Sequence, residues 1–500
     1  MQKSLTKYRA LIALISGALT PLAFSPFDFW GLIFLTPGIL FLLLDNLSPK
    51  KAAWISWCFG TGFFGTGVSW VYVSIHTYGN APVWLAALMT LAFAMGLALT
   101  FALQGWCYAR WLSRSSLSSI GFIGLWILFE WCRSWFLTGF PWLYLGYALI
   151  DSPLKFWAPI GGVWLLSLVV LCLSVSTILL LAARKTSQRI MLAVVITLPF
   201  MSLALPKDWT QTTGETQEID IVQANIPQQL KWNKSYLPEF INTYSRMTLE
   251  ETRAPLVIWP ETAIPALLSS AKPYLSKLLA QLEQDNRSLI SGLPSIERDA
   301  KHPAGYRVHN SLALLTDKTD TYHKQRLVPF GEYVPMESYL RGLIEFFNLP
   351  MSSFSLPTQQ QTTLSLGSSK IAAAICYEIA YPELVRQLST DSDWILTVSN
   401  DTWFSHSLAP AQHMQIARMR ALENGRWLVR STNNGLTAIV DPYGDITAQA
   451  PAYQQAVLSG SIEKRTGATP YQNYGATPVL LFSLLLIVVC FTRRQKESSE

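Results

Sequence analysis

KIAAAICYE (370–378) is a run of small and branched apolar residues, of strand length, that ends in a cysteine and a glutamate. Such a run suits a strand buried on both faces. Working outward, the same form recurs in EIDIVQANI (218–226), PLVIWPE (255–261), SLISGLP (288–294), SLALLTD (311–317), DWILTVSND (393–401), LTAIVDP (436–442) and VLSGSIE (457–463). Helical patterns separate several of these runs: YLPEFINTYSRMTLEE (236–251), PYLSKLLAQLEQDN (273–286), ELVRQL (383–388) and AQHMQIARMRALENG (411–425). Strands alternating with helices predict an α/β unit with helices packed on the sheet faces. We place it at 207–475, a length that suits one domain.

The rest of the chain is different. Half of the 500 residues are hydrophobic and 14% are charged, and the mean hydropathy is +0.26. That is too apolar for a soluble globular protein, so lipid must form part of the solvent. Apolar stretches near the spanning length of about 20 residues lie near 9–25, 29–45, 53–75, 83–109, 117–136, 161–183, 188–205 and 477–492. The expected organisation is a seven-span region over 1–206, the α/β domain, and a last span with its tail over 476–500. With the N-terminus assigned to the cytoplasm, Lys50 and Lys51, Arg110 and Arg114, Arg184, Lys185 and Arg189, and Arg493, Arg494 and Lys496 all fall on one side. The excess of basic residues on that side is the pattern of cytoplasmic loops, which puts the α/β domain outside the cytoplasm. The net charge of +6 therefore reflects topology. The basic residues form no stripe of the kind nucleic acid requires.

Of six cysteines, Cys58, Cys107, Cys132, Cys172 and Cys490 sit in or beside apolar segments, whereas Cys376 stands alone in the polar domain. It has no nearby partner for a disulfide or a metal, which makes it a candidate nucleophile. Three strand-like runs end in polar groups, at Glu261, at Cys376, and at Asn400 with Asp401. Lys324 follows the strand-like TDTYH and precedes a Pro- and Gly-marked loop holding Glu332. In α/β folds, sites gather where strands run out at one edge. A thiol needs an ammonium that lowers its pKa or a carboxylate that takes its proton, and Lys324 and Glu261 suit those tasks. An ammonium, together with the Tyr377 amide, also suits the negative charge of a tetrahedral intermediate.

WPETAIP (259–265), YHKQRLVPFGEYVP (322–335) and ICYE (375–378) resemble the Glu, Lys and Cys motifs of the nitrilase, or carbon–nitrogen hydrolase, superfamily. The resemblance implies an α-β-β-α sandwich beside the polytopic helical bundle. A domain of this kind between seven spans and one further span resembles a single membrane-embedded branch, the apolipoprotein N-acyltransferases. VQANIPQQLKW (222–232), SNDTWF (399–404), QIARMRALENGR (415–426) and RSTNNG (430–435) resemble it too. The likeness implies Glu261 as general base, Lys324 as stabiliser of the tetrahedral intermediates and Cys376 as the nucleophile that becomes acylated. It implies supporting roles for Glu332, Tyr377, Glu378, Asn310 and Trp232, and no cofactor or metal. The implied partners are a phosphatidylethanolamine-like acyl donor and diacylglyceryl apolipoproteins as acceptor, with the chain a monomer in a bacterial inner membrane. One departure is visible: where the family segment after SND-x-WF usually begins with Gly, this chain has Ser405-His406-Ser407.

Plainer readings stand beside these. Glu332 alone reads as an exposed loop carboxylate. Arg418, Arg420, Arg426 and Arg430 read as a solvated or ion-paired helix face. His406 and His413 lack a third ligand and metal-site spacing. Glu130 and Arg133, three apart in the fifth span, are either a structural pair or a lipid-headgroup contact. Two rival functions are a membrane-tethered amidase with water as acceptor, and a transporter with an accessory domain. The spans lack the paired broken segments that a transporter would carry.

Overall fold

The computed structural model describes residues 2–183, 185–301, 304–315, 320–334, 354–361 and 363–499. Arg184, residues 316, 317 and 319, and Pro335, which belong to features quoted above, lie outside the described residues. The chain divides into two compact units, one of Met1–Tyr72, Val83–Lys207 and Asn473–Glu500, the other of Val73–Pro82 and Asp208–Gln472.

The first unit is helical. Val83–Trp111, Pro153–Ala182, Thr186–Ala204 and Thr477–Ser499 are long and apolar enough to cross a membrane, and Tyr8–Ala23, Trp30–Leu43 and Ser118–Cys132 are shorter apolar helices. Small residues set the packing: a Cβ on Gly62 would lie 2.1 Å from the Leu14 carbonyl oxygen, so only glycine lets the two backbones approach. This is how helices associate where lipid removes the hydrophobic drive between them. Glu130 and Arg133 are buried at 2% and 6% exposure and 3.8 Å apart. Glu130 Oε1 accepts from the Leu145 amide at 2.8 Å. Arg133 donates to the Trp142 carbonyl at 3.3 Å and sits against the Phe64 and Tyr144 rings. Each charge is thus used to hold the irregular backbone of 142–145, which favours the structural alternative for this pair.

The second unit holds two six-stranded sheets. The first runs in the order β12 (Ala456–Thr466), β1 (Gln211–Gln223), β2 (Leu256–Ile258), β3 (Ser288–Arg298), β4 (Tyr306–Leu314), β5 (Thr321–His323). The second runs β11 (Ile446–Gln449), β10 (Ala438–Val440), β9 (Leu428–Thr432), β8 (Trp394–Ser399), β7 (Ser369–Ile375), β6 (Leu364–Leu366). Parallel pairing joins β1 to β2 and β2 to β3, and β7 to β8 and β8 to β9. The short strands β6, β9 and β11 were not anticipated. They are too brief, or too polar as in LVRST, to register as apolar runs.

Alternation along each strand explains the layers. Ile219, Ile221, Leu256, Ile258, Ile290 and Leu312 pack with Ile371, Ala373, Leu396 and Val398 from the other sheet. Val222, Val257, Leu289, Leu293 and Ala313, on the opposite face, pack under Phe240, Ile241, Tyr244, Leu275 and Leu278 of the helices Leu237–Glu251 and Leu268–Gln284. Pro382–Ser389 and Ala409–Asn424 supply the helices associated with the second sheet. The result is the α-β-β-α sandwich expected from the motifs.

His309 on β4 and His323 on β5 belong to the face turned toward the outer helices, with rings 4.6 Å apart. His309 Nε2 lies 3.0 Å from Glu297, and His323 Nδ1 lies 2.8 Å from Ser311 Oγ and 3.2 Å from Ser295 Oγ. Burial, reinforced by His309, lowers the His323 pKa to about 4. The neutral ring is therefore part of the fold, whereas the unfolded chain takes up a proton near pH ~6.5. Stability from this site is complete above that pH and is lost as pH falls toward 4. The melting temperature of the purified protein, followed by fluorescence from pH 7 to 4, should fall less steeply for His323→Gln than for the unsubstituted chain.

Gly292 on β3 supports the turn that follows β2. A Cβ there would lie 2.4 Å from the Thr262 amide nitrogen and 2.7 Å from Glu261 Cα. Gly292→Ala should cost about 1–3 kcal/mol of stability and displace Glu261. The expected outcome is a lower unfolding midpoint in denaturant together with a loss of activity larger than the stability change explains.

Candidate active site

Three strand ends bring the predicted residues together. Glu261 follows β2, Lys324 follows β5 and Cys376 follows β7, and all lie within the second unit. Lys324 is 1% exposed, Glu332 3% and Glu261 6%. Its ammonium lies 2.8 Å from Glu332 Oε1 and 3.4 Å from Glu261 Oε1. Asn310 Nδ2 donates to both of those oxygens at 2.8 Å, and the Asn310 carbonyl accepts from the Lys324 amide at 2.8 Å. Glu261 Oε2 accepts from the Asn400 amide at 2.9 Å.

Glu332 is a correction to the plain reading of its loop. The segment around Val328–Val334 folds back so that the carboxylate also accepts from the Val328 amide at 2.9 Å, and Phe330 takes a positive φ of 64° to make the turn. A carboxylate that looks solvent-bound in sequence is thus part of the buried charge cluster. Burial works against the Lys324 ammonium, but Glu332 and Glu261 outweigh it and hold its pKa above the ordinary lysine value.

Cys376 has φ +54° and begins the short helical turn Cys376–Ala380. A non-glycine residue in this region is strained, and such strain collects at functional sites. Glu378 holds the turn. Its carboxylate accepts from the Ile375 amide at 2.7 Å, from the Gln325 and Arg326 amides at 2.5 and 3.1 Å, and from the Tyr322 hydroxyl at 3.2 Å. It therefore fastens the cysteine turn to the lysine loop. Burial raises its pKa to about 7 against the pull of these donors. The Cys376 thiol is pushed well above its ordinary value by burial and then by the Glu261 charge, with Lys324 acting in the opposite sense. Tyr377 is half-buried beside it, its ring edge-on to Tyr381 at 5.2 Å. Trp232 is less integrated: its indole N–H is buried and, among the described residues, has no hydrogen-bond partner.

Gln228 and Lys231 were not singled out from sequence, and His413 and Arg430 were read there in other roles. His413 Nε2 lies 3.1 Å from the Cys376 carbonyl, and Arg430 reaches both His413 Nδ1 at 3.1 Å and Asp401 Oδ2 at 2.7 Å. The same Nδ1 also lies 3.3 Å from Asp401 Oδ1, so the ring stands between the arginine, the aspartate and the cysteine carbonyl. Burial, then Arg430, lowers the His413 pKa and keeps the ring neutral. For Asp401, burial alone would raise the pKa, but Arg430 and His413 bring it down to about 2. Gln228 accepts from the Asn400 side chain at 2.7 Å, and Lys231 donates to the Glu261 carbonyl at 3.1 Å. The common signal was a polar residue just past a strand end, as with Gln228 and Lys231 after β1 and Asn400 after β8.

Of the two arginine readings, the ion-paired one holds for Arg420 on its helix, while the solvated one is corrected, as is the placing of Arg426 and Arg430 on a helix face. Arg420, Arg426 and Arg430 are at most 2% exposed and not solvated. Arg420 pairs with Glu423 at 3.0 Å, Arg426 donates to the Ser392 and Gly467 carbonyls, and Arg430 lies on a strand. Ser405, which follows SNDTWF, has φ +46° and ψ −142°. That conformation is natural only to glycine, so a serine there carries strain.

Comparison with known proteins agrees with this geometry. Residues 16–176 match the apolipoprotein N-acyltransferase N-terminal domain, and 219–471 match the carbon-nitrogen hydrolase family. A relative from Pseudomonas syringae pv. tomato named apolipoprotein N-acyltransferase is 44% identical over 95% of this chain and 95% of its own length. Relatives of the same name from Pseudomonas aeruginosa and Vibrio parahaemolyticus are 42% and 40% identical, each over 98% of this chain and over 97% and 98% of their own. With both units matched and the identity spread along the whole length, the chain belongs to the apolipoprotein N-acyltransferase family.

Proposed function

We propose that this protein transfers an acyl chain from a membrane phospholipid to the α-amine of the N-terminal S-diacylglyceryl cysteine of apolipoproteins, the last step of lipoprotein maturation. The observation that carries the reading is the closed cluster of Glu261, Lys324 and Glu332 beside a strained cysteine, in a chain whose likeness to apolipoprotein N-acyltransferases extends through both units.

Because the resting thiol is held protonated, attack requires a proton acceptor, and Glu261 takes that role. Sulfur adds to the ester carbonyl as the proton passes to Glu261. The resulting oxyanion lies against the Lys324 ammonium and the Tyr377 amide. Collapse breaks the ester bond, the departing lysophospholipid oxygen takes the proton back from Glu261, and a Cys376 thioester remains. The acceptor amine then attacks the thioester, gives a proton to Glu261 and displaces sulfur, which recovers that proton. Glu332 and Asn310 keep the lysine and the base in register. Glu378 fixes the cysteine turn.

The proposed topology is eight spans in a bacterial inner membrane, with both termini cytoplasmic and the catalytic domain periplasmic; the distribution of Lys50, Lys51, Arg110, Arg114, Lys185, Arg189 and Arg493 supports its orientation. The proposed domain division is 1–206, 207–475 and 476–500. The proposed donor is phosphatidylethanolamine-like and the working form a monomer. Both substrates are lipid-borne, so an enzyme anchored in the bilayer meets them without passing either through water.

Purified protein given acyl-labelled phospholipid alone should retain a hydroxylamine-sensitive label on Cys376. Cys376→Ala should retain none, and Glu261→Gln should acquire it roughly 10²–10⁴-fold more slowly. Rapid release of free fatty acid with no retained label would instead identify a hydrolase and overturn the transferase.

A further inference from the structure

One peptide unit joins Cys376 to Tyr377. It is planar and trans, so its carbonyl and its N–H point in opposite directions, and whatever fixes one fixes the other. The N–H is the oxyanion donor of the proposed reaction. The carbonyl oxygen lies 3.1 Å from His413 Nε2, and because a carbonyl only accepts, that nitrogen carries the hydrogen. The direction of this peptide needs fixing. Cys376 has φ +54°, a conformation that persists only where its surroundings hold it, and a turned peptide would take the N–H away from the reacting carbonyl while leaving the sulfur in place. Glu378 secures the chain ahead of the cysteine, through the Ile375 amide. His413 meets it just after.

His413 is itself held. It lies on the helix Ala409–Asn424 at 1% exposure, with Arg430 Nη2 3.1 Å and Asp401 Oδ1 3.3 Å from its Nδ1. Arg430 and Asp401 are paired at 2.7 Å. A Cβ on Gly435 would lie 2.4 Å from Asp401 Oδ2, so that glycine leaves the room the carboxylate occupies.

We infer that His413 is a positioning residue for the oxyanion site: by holding the Cys376 carbonyl it aims the Tyr377 amide of the same peptide at the place where the oxyanion forms. This deepens the reading of Cys376 as nucleophile and rests on it. In this role the imidazole exchanges no proton with substrate or sulfur, which is the task of Glu261. The bond at the carbonyl also polarises the peptide and strengthens its N–H as a donor. Arg430 and Asp401 keep the ring in place.

Two reactions of Cys376 separate this role from plain structural support. Acylation by an ester passes through an oxyanion, whereas alkylation by iodoacetamide does not. Full-length protein in detergent is given acyl-labelled phosphatidylethanolamine and the thioester label is timed over one turnover. Alkylation is timed in parallel by mass spectrometry of the Cys376 peptide. His413→Leu should acylate roughly 10–100-fold more slowly and alkylate within about twofold of the unsubstituted rate, since only the first reaction uses the donor. His413→Gln, whose amide reaches the place of Nε2, should recover most of the loss. Equal slowing of both reactions would make His413 a support of the turn alone and overturn the proposal. Acylation of the Leu variant at the unsubstituted rate would overturn it as well, as would a Gln variant no better than Leu. If His413→Leu does not fold, His413→Asn takes its place in the comparison with Gln, because its shorter amide meets Arg430 and Asp401 but not the carbonyl. An unsubstituted protein that keeps no label would count against the acyl-transfer reading, whereas a labelled one with unselective variants counts against this inference alone.

Discussion

The buried ammonium of Lys324 is the constraint on which the catalytic unit depends. Removing one partner from such a buried pair typically costs about 3–5 kcal/mol, because it leaves a charge with neither water nor a counter-ion. Glu332 and Glu261 answer the charge at 2.8 and 3.4 Å, and Asn310 bridges both carboxylates while its own carbonyl holds the lysine backbone. The ends of β2 and β5, the middle of β4 and the loop carrying Glu332 must therefore converge on one point for any of them to be satisfied. Fold and site share this requirement. Hydrophobic packing between the sheets sets their spacing, and the charge cluster sets how their edges meet.

The cysteine turn is held by a second set of buried polar groups. A strained backbone of this kind costs on the order of 1–3 kcal/mol and persists only where its surroundings over-determine it. Glu378 supplies one restraint by collecting amides from both the cysteine turn and the lysine loop. His413 supplies another at the Cys376 carbonyl, with Arg430 and Asp401 at its other ring nitrogen. The two sheets are also tied at their ends, where the Asn433 side chain pairs with both the amide and the carbonyl of Ile226. These bonds tie the end of the sheet that carries Cys376 to the end of the sheet that carries Glu261 and Lys324.

Much of this was legible in order along the chain, because each local pattern has a local cause. Branched apolar runs marked the long strands, and a lone thiol in a polar domain marked Cys376. Glu261, Lys324 and Asn400 stood just past strand ends. The plainer alternatives that failed share a different cause. Ala409–Asn424 carries two arginines and looks like a solvated helix, yet Arg420 is fully buried beside Glu423. Glu332 sits in a Pro- and Gly-rich loop of the kind that normally lies in water, yet it is 3% exposed. Burial of a charge depends on partners distant in sequence, and no property of the residue or its neighbours announces them.

By itself, then, the sequence determined that the chain has an apolar helical part and an alternating α/β part, since hydropathy and periodicity act over a few turns or one strand. It also determined which residue types were available for thiol chemistry. Only the tertiary structure decided that Lys324 is shared between two carboxylates, that Cys376 is strained, that His413 supports its carbonyl and that Lys231 lies buried against Glu261. Those are properties of distances between segments tens to hundreds of residues apart. They arise because folding removes water from charged groups, and each such group must then find its partner wherever the chain's topology has brought one.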